Sequence, residues 1–125
     1  MSSSHEDLLQ FVAASFPSVW ALELLLTLKS DRRSWTRDEL VARLRASDLV
    51  VAKALDALVV AGLASINTNG ATYSPVNSET DATVQRVEQL YGSRPNTVRR
   101  TIVSAQTSSA TAFADAFKLR KNGDE

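Results

Sequence analysis

The dipeptide Asn69-Gly70 constrains the fold of this chain more than any other feature. Asn-Gly is the strongest short-range signal for a two-residue type I′ turn, because both central residues of that turn need a positive φ. The residues on either side alternate in character, over 63–68 and 71–74. The pattern predicts a β-hairpin with its turn at Asn69-Gly70, held to a core by Leu63 and Ile66.

A helical pattern runs from Ser18 to about Ser30, directly after Pro17. Proline suits the first turn of a helix, because the N–H that it lacks has no partner there. Four apolar residues recur at helical spacing and predict one buried face, made of Trp20, Leu24, Leu25 and Leu28. A short amphipathic helix over residues 8–16 is predicted to precede this one.

Two capped helices are predicted next, joined by the short connection 45–47. Thr36 and Glu39 have the spacing of a capping box, in which each side chain satisfies a free backbone amide at a helix start. Ser47 is placed to cap the following helix, which we expect to run to about Ala61 and to end at Gly62 in a left-handed conformation. The predicted buried face of that helix consists of Val51, Leu55, Leu58 and Val59.

The chain beyond the hairpin is predicted to be helical. One helix starts at Thr80 or Asp81 and stops at Gly92, and another begins at Pro95. Their predicted apolar faces are Val84, Val87, Leu90 and Tyr91 in the first helix, and Val98, Ile102 and Ala105 in the second. A polar break at 106–109 precedes a last predicted helix over 110–121, with Phe113, Ala116 and Phe117 on one side.

These elements predict a mainly α fold with a small β-hairpin. We expect an N-terminal helical arm (1–16), a central domain (17–75), a C-terminal helical extension (76–121) and a tail (122–125). A chain of 125 residues is about one domain long and can bury a core without a disulfide or a metal.

The composition argues against catalysis and metal binding. The chain has no cysteine, and its only histidine, His5, lies in a polar N-terminal stretch. Thiolate metal sites, disulfides and Ser-His-Asp triads are therefore not expected. Asp38 and Glu39 are adjacent on a capped helix, as surface charges usually are, and Glu23 is expected to face solvent or the N-terminal helix. We predict no enzymatic activity and no cofactor.

Charge is balanced overall but unevenly distributed. Fourteen basic and fourteen acidic residues cancel, yet residues 29–45 carry a net +3 and residues 94–121 a net +5. No apolar run approaches the roughly 20 residues that cross a bilayer, and the N-terminus lacks the basic start of a secretory signal. We therefore expect a cytoplasmic protein.

The order of elements resembles a winged helix-turn-helix domain, here over residues 17–75. The stretch 35–44, Trp-Thr-Arg-Asp-Glu-Leu-Val-Ala-Arg-Leu, looks like the second helix of such domains. The run 51–63, which includes Leu58 and Gly62, resembles the third helix and its exit into the wing. The remaining helices are similar in layout to those appended to MarR-like bacterial transcription regulators.

This resemblance implies a dimeric DNA-binding regulator, whose third helix enters the major groove. Carried over to this sequence, it assigns phosphate contacts to Arg33, Arg37 and Arg45. Ser47 and Lys53 then touch the groove, and Asn69 sits at the wing tip. The C-terminal helices, with Phe113 and Phe117, would form the dimer.

The outer face of the third helix departs from this pattern. Bases are read mainly by side chains that donate or accept hydrogen bonds, and only Lys53 is a suitable donor there. The alternative is a winged-helix module that binds a protein of the transcription machinery through the apolar residues Leu49, Val50, Ala57 and Val60. A further possibility is that the chain's own N-terminal or C-terminal helix covers this face, which would make it core.

Overall fold

The protein is mostly helical and carries one small two-stranded antiparallel sheet, as the sequence predicts. The computed structural model describes residues 2–105, with side chains from residue 5 onward. The elements are α1 (Ser2–Ser15), α2 (Val19–Ser30), α3 (Arg37–Leu44), α4 (Asp48–Val60), β1 (Ala64–Asn67), β2 (Gly70–Tyr73), α5 (Ser78–Ser93) and a helical segment over 95–105, here α6. The predicted helix over 110–121 and the tail lie outside the described residues.

Helix α2 forms the centre of the core. The Ser18 side chain accepts a hydrogen bond from the Ala21 N–H and caps the helix, so Pro17 lies before the cap and not in the first turn as predicted. The buried residues of α2 cover a wide face: Ala21, Leu22, Leu24, Leu25 and Leu28. Trp20, predicted to be buried with them, is 40% exposed, because it lies at the edge of this face.

Both predicted caps around the α3–α4 connection are present. Thr36 and Glu39 form the capping box at the start of α3. The Ser47 side chain accepts a hydrogen bond from the Val50 N–H at the start of α4. Between the two helices, Arg45 adopts the left-handed conformation with φ 53°, which redirects the chain within three residues. Gly62 has φ 76° after α4, as its predicted role at the helix end requires.

The hairpin forms, but its turn lies one residue earlier than predicted. Asn67 pairs with Gly70, so Thr68 and Asn69 are the turn residues, and neither has a positive φ. The prediction of a type I′ turn at Asn69-Gly70 is therefore wrong. The Asn67 side chain accepts a hydrogen bond from the Asn69 N–H at 2.9 Å, which stabilises this local turn.

The first position of β2 requires a glycine, Gly70, because the strand passes very close to the Trp35 backbone there. A Cβ at Gly70 would lie 2.2 Å from the Trp35 carbonyl oxygen, and Gly70 has φ 128°. Next to it, Ala71 exchanges two backbone hydrogen bonds with Trp35, each of 2.8 Å. The hairpin is thereby fixed to the segment that leads into α3.

Helix α5 is longer than the sequence predicts. The Asn77 side chain caps it by accepting from the Thr80 N–H, so the helix starts before Thr80. Gly92, predicted to stop the helix, lies in its last turn, and the helix ends one residue later at Ser93. The predicted apolar faces of the two last described helices supply the buried residues Val84, Val87, Leu90, Val98 and Ile102.

A single core cluster takes side chains from all the described helices and from the hairpin. Val12 of α1 belongs to it, as do Phe16, which directly follows α1, and the buried residues of α5 and α6. Besides Trp20, two predicted core residues are exposed, Val59 on α4 and Ile66 on β1. Ile66 shares a strand face with buried Ala64, but the hairpin extends beyond the helices there, so Ile66 ends in an open cleft next to Leu55.

Within residues 2–105, no single helix has both the length and the apolar character needed to cross a membrane. One pair of helical segments satisfies these criteria when taken together, on length and composition alone. The pair is His5–Ser15 and Val19–Ser30, with a bend of 103° between them.

Candidate interaction surface

The outward side of α4 carries a narrow stripe of four exposed residues, Leu49, Lys53, Asp56 and Val60. Their spacing of i, i+4, i+7 and i+11 places them on one side of a helix with 3.6 residues per turn. The stripe begins and ends with an aliphatic side chain: Leu49 is 63% exposed and Val60 is 88% exposed. Its one cation and one anion cancel, so this α4 stripe has no net charge.

The cations beside the start of α4 are partly neutralised. The Arg37 guanidinium lies 3.6 Å from a carboxylate oxygen of Asp48, the first residue of α4. Arg45 is exposed in the connection before α4. The predicted groove contact Ser47 already uses its hydroxyl oxygen to cap α4. Among the cations assigned to DNA, Arg45 and Lys53 therefore have the least engaged side chains in the described part of the chain.

Arg33 is held against the protein and not directed outward. Its guanidinium stacks on the Trp35 ring at 3.8 Å from the ring centroid, and it pairs with Asp31 at 3.1 Å and with Glu39 at 3.2 Å. The Thr36 backbone N–H, and then the Arg33 guanidinium, lower the pKa of Glu39. A phosphate at Arg33 would therefore compete with Asp31 and Glu39 for the guanidinium.

The tip of the hairpin is polar but uncharged. Asn67, Thr68 and Asn69 are exposed, and Asn69 occupies the turn. The tip borders a cleft of about 250 Å³ whose other walls include Arg37, Leu55 and the exposed Ile66. The hairpin tip therefore contributes hydrogen-bonding groups and apolar area, but no positive charge.

The four residues predicted to bind a partner differ in exposure. Leu49 and Val60 are open, whereas Val50 and Ala57 are half-buried. Ala57 and Val60 line a shallow groove with the end of α1, which contributes Ala13, Ala14 and Ser15, and with Pro17 beyond that helix. Helix α1 therefore borders one side of the apolar face, and among residues 5–105 nothing covers Leu49 or Val60.

A second cluster of polar side chains, where α2, α5 and α6 meet, was not predicted. The Tyr91 hydroxyl of α5 donates a hydrogen bond to the Glu23 carboxylate of α2, and Arg99 of α6 lies 5.4 Å from the Tyr91 ring centroid. Glu23 was expected to face solvent or α1, but its partner comes from α5. The one available signal was a lone acid within the apolar run 19–28, which indicates a partner without identifying it.

The described residues hold no grouping of three or more His, Asp or Glu side chains suited to a metal ion. Comparisons with protein-family models, curated proteins and solved structures give no significant match to this chain.

Proposed function

We propose that this chain is a non-enzymatic winged-helix module of transcription control that binds a protein partner through the α4 stripe. The winged-helix assignment is supported by the order of elements: α2, the capped α3, a three-residue connection, the capped α4 and the hairpin. It is also supported by the isolated β-bridge between Trp35 and Ala71, which joins the hairpin to the segment before α3.

The choice of a protein partner depends on one observation. The α4 stripe has no net charge, and an exposed aliphatic residue lies at each of its ends. DNA affinity depends largely on neutralising phosphates with Lys and Arg. The α4 stripe offers Lys53 against Asp56, Arg37 is paired with Asp48, and the hairpin tip has no cation. A protein surface is a better match, because Leu49 and Val60 offer exposed apolar area and the α4 stripe has no net charge to attract a polyanion.

The partner element that fits this surface is an amphipathic helix. Leu49 and Val60 are separated by eleven residues along α4, about 16 Å at 1.5 Å per residue. A partner helix would place apolar residues against both ends of the α4 stripe and polar residues against Lys53 and Asp56.

Site-specific photo-crosslinking in cells that express this protein tests the proposal. A photoreactive residue replaces Leu49 or Val60, and Gln89, an exposed residue of α5, serves as the control position. We expect one discrete protein adduct from positions 49 and 60 and none from position 89. Adducts to nucleic acid, or equal protein adducts from all three positions, would contradict the proposal.

Introducing a negative charge at the same two positions gives an independent check. Leu49→Glu with Val60→Glu should change the free energy of unfolding by no more than about 0.5 kcal/mol per site, as for exposed positions in general. The same variant should lose the adduct formed from a photoreactive residue at position 50. Global unfolding of the variant would show instead that this face is core.

DNA binding by a dimer is the second candidate function. The observation in its favour is that the exposed Arg45 and Lys53 lie on either side of the first turn of α4, next to Arg37. In this proposal Arg37 and Arg45 hold phosphates, Lys53 enters the groove and Asn69 contacts the backbone from the hairpin. Dimerisation would depend on Phe113 and Phe117, which lie outside the described residues. In either proposal the protein acts in the cytoplasm.

A further inference from the structure

Three helices surround a cleft that has no part in the α4 stripe. Helices α2, α3 and α6 line it with Val19, Trp20, Glu23, Arg43, Leu44 and Arg99. Its volume is about 480 Å³, within the size range of binding pockets. None of the residues that line it belongs to α4 or to the hairpin.

The charges in this cleft favour a carboxylate. Arg43 and Arg99 supply two guanidinium groups, and in residues 5–105 neither one forms an ion pair. The one acid, Glu23, already accepts a hydrogen bond from the Tyr91 hydroxyl. The cleft therefore holds an excess of one positive charge, and guanidinium groups bind carboxylates with directional, charge-assisted hydrogen bonds.

The same cleft offers apolar area next to these cations. Trp20 is 40% exposed, although the rest of α2 around it is largely buried, and half-buried Val19 and Leu44 adjoin it. Exposed Trp and Arg side chains are enriched among the residues that dominate binding energy at protein interfaces. A ligand for this site needs an apolar group and a carboxylate close together.

We propose that this cleft docks a short acidic segment of a partner protein, with an apolar side chain against Trp20 and carboxylates on Arg43 and Arg99. A nucleic acid is a poorer match, because its binding depends on neutralising several phosphates and this cleft has a net charge of only +1.

A peptide titration tests the proposal on the full-length protein. The probe is a short fluorescent peptide, blocked at both ends, with phenylalanine and leucine flanked by aspartates; the matched probe has asparagine at every aspartate. We expect saturable binding of the acidic probe, and binding at least about tenfold weaker for the asparagine probe, which corresponds to about 1.4 kcal/mol. Trp20 emission should change on binding.

Single substitutions localise the site. Arg43→Gln, Arg99→Gln and Trp20→Ala should each weaken binding of the acidic probe about tenfold. The control is Arg100→Gln, a neighbouring exposed arginine that lines a different groove, and it should change binding less than about twofold. Leu49→Glu should have no effect, which separates this proposal from the one for the α4 stripe.

Three results would overturn the proposal. Equal binding of the two probes would remove the role of the carboxylates. Equal weakening by Arg100→Gln and Arg99→Gln would show attraction to the basic surface as a whole. Displacement of the acidic probe by phenylpropionate at the peptide's own concentration would show a small-molecule site in place of a docking site.

Discussion

Arg45 shows how a single residue directs the chain between α3 and α4. It is the one non-glycine residue with a positive φ in the described part of the chain. An L-residue in this conformation costs roughly 1–2 kcal/mol, and glycine adopts it without that cost. The sequence therefore keeps an exposed arginine at a position where glycine would be less strained.

Replacement of Arg45 separates the backbone effect from the charge. Arg45→Gly and Arg45→Ala both remove the guanidinium, but only glycine relieves the left-handed strain. We expect the glycine variant to be more stable than the alanine variant by about 1 kcal/mol in urea unfolding. Equal stability of the two variants would show that residue 45 does not hold this conformation in solution.

At the level of elements, the position of the hairpin depends on its contact with Trp35. A side chain at Gly70 would meet the Trp35 backbone, so Gly70→Ala must displace β2 or break the two hydrogen bonds between Trp35 and Ala71. We expect a loss of about 2 kcal/mol or more in the free energy of unfolding. Calorimetry or urea unfolding measures this loss.

Gly92→Ala is the matched control for that prediction. Gly92 lies within α5, and no atom lies within 4 Å of the added Cβ. Because alanine favours a helix interior, this variant should gain up to about 1 kcal/mol. A loss of stability at both glycines would contradict the different contacts described for them.

The sequence correctly predicts the features that depend only on residues close to one another along the chain. The capping box of Thr36 and Glu39 and the left-handed Gly62 need only a few residues, and both form as predicted. The turn residues were misplaced because the contact of Gly70 with Trp35 joins segments distant in sequence. The bond between Glu23 and Tyr91 was missed for the same reason, and with it the cleft between α2, α3 and α6.

At the scale of the whole molecule, the two tyrosines join α5 to the rest of the fold. Tyr73 of β2 donates a hydrogen bond of 2.5 Å to Asp81, and Tyr91 donates one to Glu23. Burial first, and then the hydrogen bond to a carboxylate, raise the pKa of each phenol above its usual value. The folded state therefore favours the neutral form of both side chains.

This arrangement predicts a loss of stability at alkaline pH. Since the folded pKa values are raised, the stabilisation is fully present below pH of about 10, the unfolded tyrosine value, and is lost as the pH rises through the folded values. With only two tyrosines in the chain, tyrosinate absorbance reports on both. The native protein should titrate at higher pH than the urea-unfolded chain. Coincident titration curves would exclude these two hydrogen bonds.

A salt titration with duplex DNA tests most directly whether the neutral α4 stripe is a protein-binding surface and not a DNA-binding one. Each phosphate neutralised on a duplex contributes about −0.9 to the slope of log affinity against log salt. If Arg37 and Arg45 held phosphates, the slope would be roughly −2, and roughly −3 if Lys53 held a third. We predict no saturable binding at about 50 mM salt, or a slope no steeper than about −1. A slope of about −2 or steeper that becomes shallower on replacing Arg37, Arg45 and Lys53 with glutamine would contradict this prediction and favour DNA as the partner.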